Sequence, residues 1–119
     1  MDNAIVEKSI DFAVRIVNLC RYLQNEKSEH IISKQIMRSG TSIGANIAEA
    51  QCAQSNADFI SKMCIARKEA NETVYWLTLL FRTGFLKDYE FESLNADITE
   101  LYKILSSIII TSRSKKNEK

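Results

Sequence analysis

Proline is absent from this 119-residue chain, glycine occurs three times and histidine occurs once. The shortage of proline and glycine excludes collagen-like and proline-rich chains and disfavours a turn-rich β-sandwich. The net charge is only +1 at pH 7, so the chain has no overall basic field of the kind that attracts nucleic acid. The longest apolar runs are far shorter than the ~20 residues that span a bilayer, and we expect no membrane partner. The length fits one domain.

The chain also lacks the residue patterns of familiar catalytic and metal sites. Cys20, Cys52 and Cys64 form no C-x-x-C pair, and three unpaired thiols are typical of a reducing compartment. The N-terminal segment has no signal-peptide pattern, so we expect a cytoplasmic protein. A single histidine, His30, cannot build a histidine-rich zinc site, and no phosphate-binding glycine motif or nucleophile elbow occurs. We therefore predict no enzyme, no cofactor, no metal and no catalytic residue.

Apolar residues recur at spacings of three and four in four segments, which predicts four helices. The predicted core seams include Leu19 in the first segment, Ile32 in the second, Phe59 in the third, and Phe91 and Ile108 in the fourth. Short polar connections between them make consecutive helices antiparallel. The pattern predicts an all-α, up-down-up-down four-helix bundle over residues 1–112. Residues 113–119 are predicted to form a basic, disordered tail. The four helical segments are 3–25, 29–52, 56–83 and 89–112.

Local residues predict where these helices begin and end. Ser28 and Asp88 are placed as N-caps of the second and fourth helices. Ser55 followed by Asp58 has the spacing of a capping box for the third helix. Gly84 predicts a Schellman ending for the same helix.

Two glycines, Gly40 and Gly44, lie in the middle of the second helix. A glycine inside a helix costs about 1 kcal/mol relative to alanine. A helix that keeps two of them is predicted to have another backbone close by.

Polar residues share faces of the second helix. Arg38 and Ser42 are four residues apart, and Asn46 and Glu49 are three apart, so each pair lies on one face near the apolar seam. We interpret them as a half-buried network that fixes the register between helices, as a buried asparagine does in coiled coils. A nucleic-acid contact by Arg38 is one alternative. A catalytic carboxylate is another, although no base, nucleophile or metal partner accompanies it.

The third helix carries a second stripe about 120° around from its main seam. The stripe holds Ile65, Trp76 and Leu79, with Glu72 among them. One interpretation is a wider core in which Trp76 covers an edge of the bundle. The other is a subunit interface, because tryptophan is enriched in interface cores. Glu72 has the same alternatives as the polar residues of the second helix.

Charge is unevenly distributed near the C-terminus. Residues 87–100 hold five acids and one base, whereas residues 113–119 hold four bases and one acid. Those four bases are candidate nucleic-acid contacts, and an oligomer that gathers several copies would strengthen them. The alternative is a solvated tail. The bases are Arg113, Lys115, Lys116 and Lys119.

The second and third helices also carry a longer pattern that covers S-I-x-x-N-I-A-E and K-E-A-x-E-T-x-Y-W-L. Its residues include Arg38, Ser42, Ile43, Asn46, Ile47, Ala48, Glu49, Lys68, Glu69, Glu72, Tyr75, Trp76 and Leu77. The chain resembles, over about residues 5–110, the four-helix-bundle proteins encoded in intervening sequences of bacterial 23S rRNA genes. Ala50 stands where that family commonly has glycine, and the proline that often opens the second helix is missing.

The resemblance implies a bundle that assembles with itself as a homopentameric ring. The chain is also similar to the accessory protein of diversity-generating retroelements, a pentamer that binds nucleic acid and a reverse transcriptase. We therefore expect a non-enzymatic homo-oligomer that binds RNA or DNA. The alternative is a protein–protein interaction scaffold with a protein partner and no nucleic-acid role. An enzyme or ligand binder is a third class, which needs a closed pocket lined by Asn46, Glu49 or Glu72.

Overall fold

Four α-helices build the protein, for which the computed structural model describes residues 4–117 and their side chains through Lys115. Each helix packs against the next one in sequence, and a sparser contact between the first and the fourth closes the bundle. Strands are absent from the described range, which confirms the predicted all-α four-helix bundle. None of the described helices is long and apolar enough to cross a bilayer. The helices are α1 (Ala4–Glu26), α2 (Ile32–Ala50), α3 (Asn56–Arg82) and α4 (Asp88–Asn117).

The core is formed by one apolar seam from each helix, nearly as predicted. Cys20 on α1 and Ile109 on α4 are buried at positions next to the predicted ones. A helix of 3.6 residues per turn drifts away from a strict seven-residue repeat, which accounts for shifts by one residue. The predicted seam positions that are only half-buried are Leu19, Ile32, Phe59, Phe91 and Ile108.

The contact between α1 and α2 is close because α2 carries glycine there. A Cβ atom added at Gly40 would lie 2.9 Å from Cγ1 of Ile16, and one added at Gly44 would lie 3.2 Å from Oγ of Ser9. The contact at Gly40 leaves no room for a larger residue unless Ile16 moves, and the contact at Gly44 is less tight. The predicted close approach of another helix is confirmed.

Both predicted ends of α3 are confirmed. The Ser55 hydroxyl accepts a hydrogen bond from the backbone N–H of Asp58 at 3.0 Å. Gly84 adopts φ +87°, and the backbone N–H of Phe85 donates to the carbonyl of Leu80 at 2.9 Å, which completes a Schellman ending.

The predicted cap of α2 is wrong. Ser28 adopts φ +52° in the preceding turn and does not cap the helix. The Glu29 carboxylate does so, because it accepts the backbone N–H groups of Ile31, Ile32 and Ser33 at 3.2, 3.0 and 2.7 Å. Burial raises the pKa of Glu29, but these three donors outweigh it and hold the pKa below its ordinary value.

The start of α4 lies one residue from the predicted position. Asp88 is the first helical residue instead of the cap. The carboxylate of Glu90 accepts the backbone N–H of Lys87 at 2.9 Å, which satisfies the amide that precedes the helix.

At its other end, α4 continues to Asn117, so residues 113–117 are helical and do not form a separate tail. The core seam explains this extension, because Ile109 and Ser112 are still buried. The side chain of Asn56 also donates to the carbonyl of Ser112 at 3.0 Å, which ties this part of α4 to the start of α3. Lys119 lies outside the described residues.

Candidate functional site

Arg38 on α2 joins two carboxylates of α3. One guanidinium nitrogen donates to Oε2 of Glu69 at 2.9 Å, and the other contacts the carboxylate of Glu72. The same Glu72 oxygen accepts the indole N–H of Trp76 at 3.0 Å. The side chain of Glu69 is 12% exposed and that of Arg38 is 51% exposed. The arginine therefore neutralises a largely buried carboxylate while one side of it stays in solvent.

The other motif residues of α2 bond mainly to their own helix. The Ser42 hydroxyl donates to the carbonyl of Arg38 at 2.6 Å, and the Asn46 amide donates to the carbonyl of Ser42 at 2.8 Å. Glu49 is mostly solvated and lies 3.9 Å from the Lys62 amine. Arg38 and Glu72 thus come together across two helices, whereas Ser42, Asn46 and Glu49 line the surface beside them.

A buried polar pair in the same contact was missed by the sequence analysis. The hydroxyls of Ser39 and Thr73 lie 3.0 Å apart between α2 and α3, and both residues are fully buried. The sequence signal that could have predicted this pair is a hydroxyl residue in the apolar seam of α2 and another in that of α3. Such a pair favours one register, because a shift of either helix would leave a hydroxyl unpaired.

The motif residues do not line the main grooves on the described part of the chain. Four of these grooves have volumes of about 360 to 540 Å³, and none of the four is lined by Asn46, Glu49 or Glu72. Within the described chain, no group of three or more histidine, cysteine or acidic side chains is arranged to hold a metal ion.

The second stripe of α3 lies on the side of the bundle that α2 and α3 share. Trp76 is half-buried against the core, and its ring meets the ring of Tyr75 edge to face, with 4.9 Å between centroids. Leu79 is also half-buried, while Ile65 is 40% exposed and Tyr75 is 59% exposed. We call the surface formed by these four residues the α3 face.

A basic surface runs along the contact of α3 and α4, and we call it the basic face. It consists of Arg67, Lys103 and Arg113. Arg67 donates to the Ser106 hydroxyl at 3.4 Å, and Arg113 lies 3.6 Å from the sulfur of Cys64. Among the described residues, no carboxylate lies within 4.0 Å of any of these three cations.

The basic face includes one of the four predicted nucleic-acid contacts, Arg113. Lys115 lies about 200° around α4 from Arg113 and lines a separate groove with Ile5 of α1. The side chain of Lys116 and all of Lys119 lie outside the described part of the chain. Sequence reasoning missed Lys103, and it missed Arg67 because only the packing of α3 on α4 brings that residue beside Arg113.

Comparison with known proteins identifies a similar solved structure and the family of the chain. It is similar to a crystal structure of a protein of unknown function from the S23 ribosomal protein family of Bacteroides thetaiotaomicron, with 61% identity and a TM-score of 0.89. The match covers 90% of this chain and 96% of that one. No curated protein matches. The family model described as 23S rRNA-intervening sequence protein matches residues 1–107. The chain therefore belongs to the 23S rRNA-intervening sequence protein family.

Proposed function

We propose that this chain is a non-enzymatic, self-associating cytoplasmic scaffold that binds the phosphate backbone of nucleic acid. The basic face carries this proposal, since it holds three cations without a carboxylate partner among the described residues. Unpaired cations are available to replace the counterions of a polyanion.

Although the net charge of the chain is only +1, acidic and basic residues are strongly separated along α4. Acidic residues occur up to Glu100, and none occurs from residue 101 to residue 117. Lys103 and Arg113 are ten positions apart on one helix, a distance of about 15 Å, so they can contact more than one phosphate. Tyr102 beside them is partly exposed and offers a ring on which an unpaired base can stack.

Self-association is the second part of the proposal, with a homopentamer as the assembly that the family resemblance implies. A few phosphate contacts per chain bind weakly at physiological salt. Several basic faces on one assembly engage the same polyanion together, and the combined affinity exceeds that of one face.

The experiment is fluorescence anisotropy of labelled structured RNA and duplex DNA, titrated with protein at about 50 and 200 mM salt. Neutralising the basic face with Arg67→Gln, Lys103→Gln and Arg113→Gln should abolish most of the binding. Deleting the C-terminal residues is a poorer test, because it also shortens α4. The matched control is Lys34→Gln, Arg82→Gln and Lys87→Gln, which removes three exposed positive charges elsewhere. Equal reduction in both variants, or no binding by the wild type, would contradict the proposal.

A protein–protein interaction scaffold with no nucleic-acid role is the second candidate function. Exposed apolar residues favour it, since Ile10, Val14 and Ile110 are 49%, 54% and 67% exposed. A stable protein partner that survives nuclease treatment in a pull-down, together with no anisotropy change, would support this candidate.

A further inference from the structure

The outer side of α1 carries a second apolar seam that the sequence analysis did not identify. Ile10, Val14 and Val17 recur at spacings of four and three, on the side of the helix opposite the buried Phe12. They line a groove of about 360 Å³ beside Gly44 and other small residues of α2. We call this surface, formed by Ile10, Val14 and Val17, the α1 face.

From this seam we infer that the α1 face of one copy binds the α3 face of a second copy of this chain. The inference rests on the self-association part of the proposed function. The α1 face is a groove, because the α2 residues beside it are small: Thr41, Gly44 and Ala45. The α3 face presents the larger side chains, with Ile65 and Tyr75 exposed. A groove in one copy therefore meets a ridge in the next.

The relative height of the two faces can be read from contacts with α2. Ile16 of α1 packs against Gly40, and Thr73 of α3 lies 3.0 Å from the neighbouring Ser39. Ile16 and Thr73 therefore lie at nearly the same height along the bundle. Because α1 and α3 run in the same direction, equal steps along them from these two reference residues reach equal heights.

At equal heights along the bundle, α1 and α3 carry opposite charges and similar apolar residues. Asp11 and Lys68 each precede the reference residues by five positions, or about 7.5 Å. Both are exposed, and neither has an ion-pair partner in the described part of the chain. Ile10 and Ile65 lie about 9 and 12 Å from the same reference level. Turning one copy about an axis parallel to the bundle keeps these heights, so Asp11 of one copy lies level with Lys68 of the next, and Ile10 lies within about 3 Å of the level of Ile65.

The two faces also have the geometry of a closed assembly. The α1 face lies on the α1–α2 side of the bundle, and the α3 face lies on the α2–α3 side. These are adjacent sides of a four-helix bundle, so each copy is turned relative to the last about an axis parallel to the bundle. A head-to-tail contact with such a turn favours closure into a ring over an open filament.

Mixing two variants tests whether the α1 face of one copy binds the α3 face of another. Val14→Glu disrupts the α1 face and Ile65→Glu disrupts the α3 face, and both positions are exposed enough for the folded chain to tolerate the change. Each variant alone should be monomeric by light scattering, with the circular dichroism of the wild type. An equimolar mixture should form a dimer and nothing larger, because one intact α1 face then meets one intact α3 face.

Ile110→Glu, on an exposed position outside both faces, is the control and should keep the wild-type mass. A mixture that stays monomeric, or a Val14→Glu or Ile65→Glu variant that keeps the wild-type mass, would overturn the assignment of the faces. A monomeric wild type would overturn self-association as well. Both results are independent of nucleic-acid binding, which the basic-face variants test separately.

Discussion

Gly40 of α2 lies against Ile16 of α1 so closely that an added Cβ atom would be 2.9 Å from Cγ1 and 3.0 Å from Cγ2. Ile16 is fully buried and branched at Cβ, so its side chain cannot rotate away cheaply. The contact sets the distance between the first two helices. It also explains why a helix keeps a residue that destabilises its own backbone.

Gly40→Ala is expected to lower the free energy of unfolding by about 1 kcal/mol. Alanine improves helix propensity by about 1 kcal/mol, and overpacking against Ile16 costs about 1–3 kcal/mol. Gly44→Ala is the control, because its Cβ would lie 3.2 Å from the Ser9 hydroxyl and an ordinary 3.5 Å from the Cβ and backbone oxygen of Ser9. We expect the control to be close to neutral in urea unfolding at matched protein concentration. A Gly40→Ala variant more stable than the wild type would contradict the close-packing account.

Arg38→Ala is expected to destabilise the protein by about 1–2 kcal/mol, since the mostly buried Glu69 is left without its charged donor. Adding Glu69→Gln should recover part of this stability, because a neutral amide needs no counterion. Lys62→Ala is the matched control and should change stability by less than about 0.5 kcal/mol, since its pair with Glu49 is long and solvated. Equal destabilisation by Arg38→Ala and Lys62→Ala in thermal unfolding would argue against the network.

Glu29→Gln is expected to cost about 1 kcal/mol at neutral pH, the usual value of a helix cap. The folded state lowers the pKa of Glu29, so its contribution is present above the unfolded pKa and is lost as pH falls through the folded pKa. The difference in unfolding free energy between wild type and variant should therefore shrink between about pH 5 and pH 3. A difference that stays constant over that range would rule out the charged cap.

The three cysteines are expected to react with a thiol reagent at different rates. Burial, with the charge of Glu29 as a smaller cause, raises the pKa of Cys20 to about 11, and its thiol donates to the carbonyl of Ser33 at 3.2 Å. Cys20 should therefore react only after unfolding. Cys52 is exposed and should react first, so Cys52→Ser should remove the fast phase. Rapid labelling of Cys20 in the native protein would contradict its burial in the core.

Local signals predicted most of the fold. Gly84 and Ser55 act within one turn of the chain, and their roles could be read from neighbouring residues. The error at Ser28 has a local cause too: the longer carboxylate of Glu29 reaches the same amides, and no spacing rule distinguishes the two residues. The end of α4 was predicted too early, because residues 113–117 are polar and show no apolar periodicity. The buried Ser112 keeps this part of the chain packed on the core, and the helix extends to Asn117.

Contacts distant in sequence could not be predicted. Arg38 and Glu72 are 34 positions apart, and Arg67 and Ser106 are 39 apart. Hydrophobic periodicity predicts which side of a helix is buried. It does not predict which neighbouring helix a polar side chain contacts. The basic face depends on that information, since it combines one base of α3 with two of α4.

The central claim is that the basic face binds the phosphate backbone, and the salt dependence of binding tests it most directly. The measurement is the slope of log affinity against log salt concentration for duplex DNA. Wild-type protein should show a steep negative slope. Replacing Arg67, Lys103 and Arg113 by glutamine should reduce its magnitude by about 0.9 for each phosphate that the protein no longer neutralises. An unchanged slope in that variant, with a reduced slope in the Lys34, Arg82 and Lys87 control, would contradict the account.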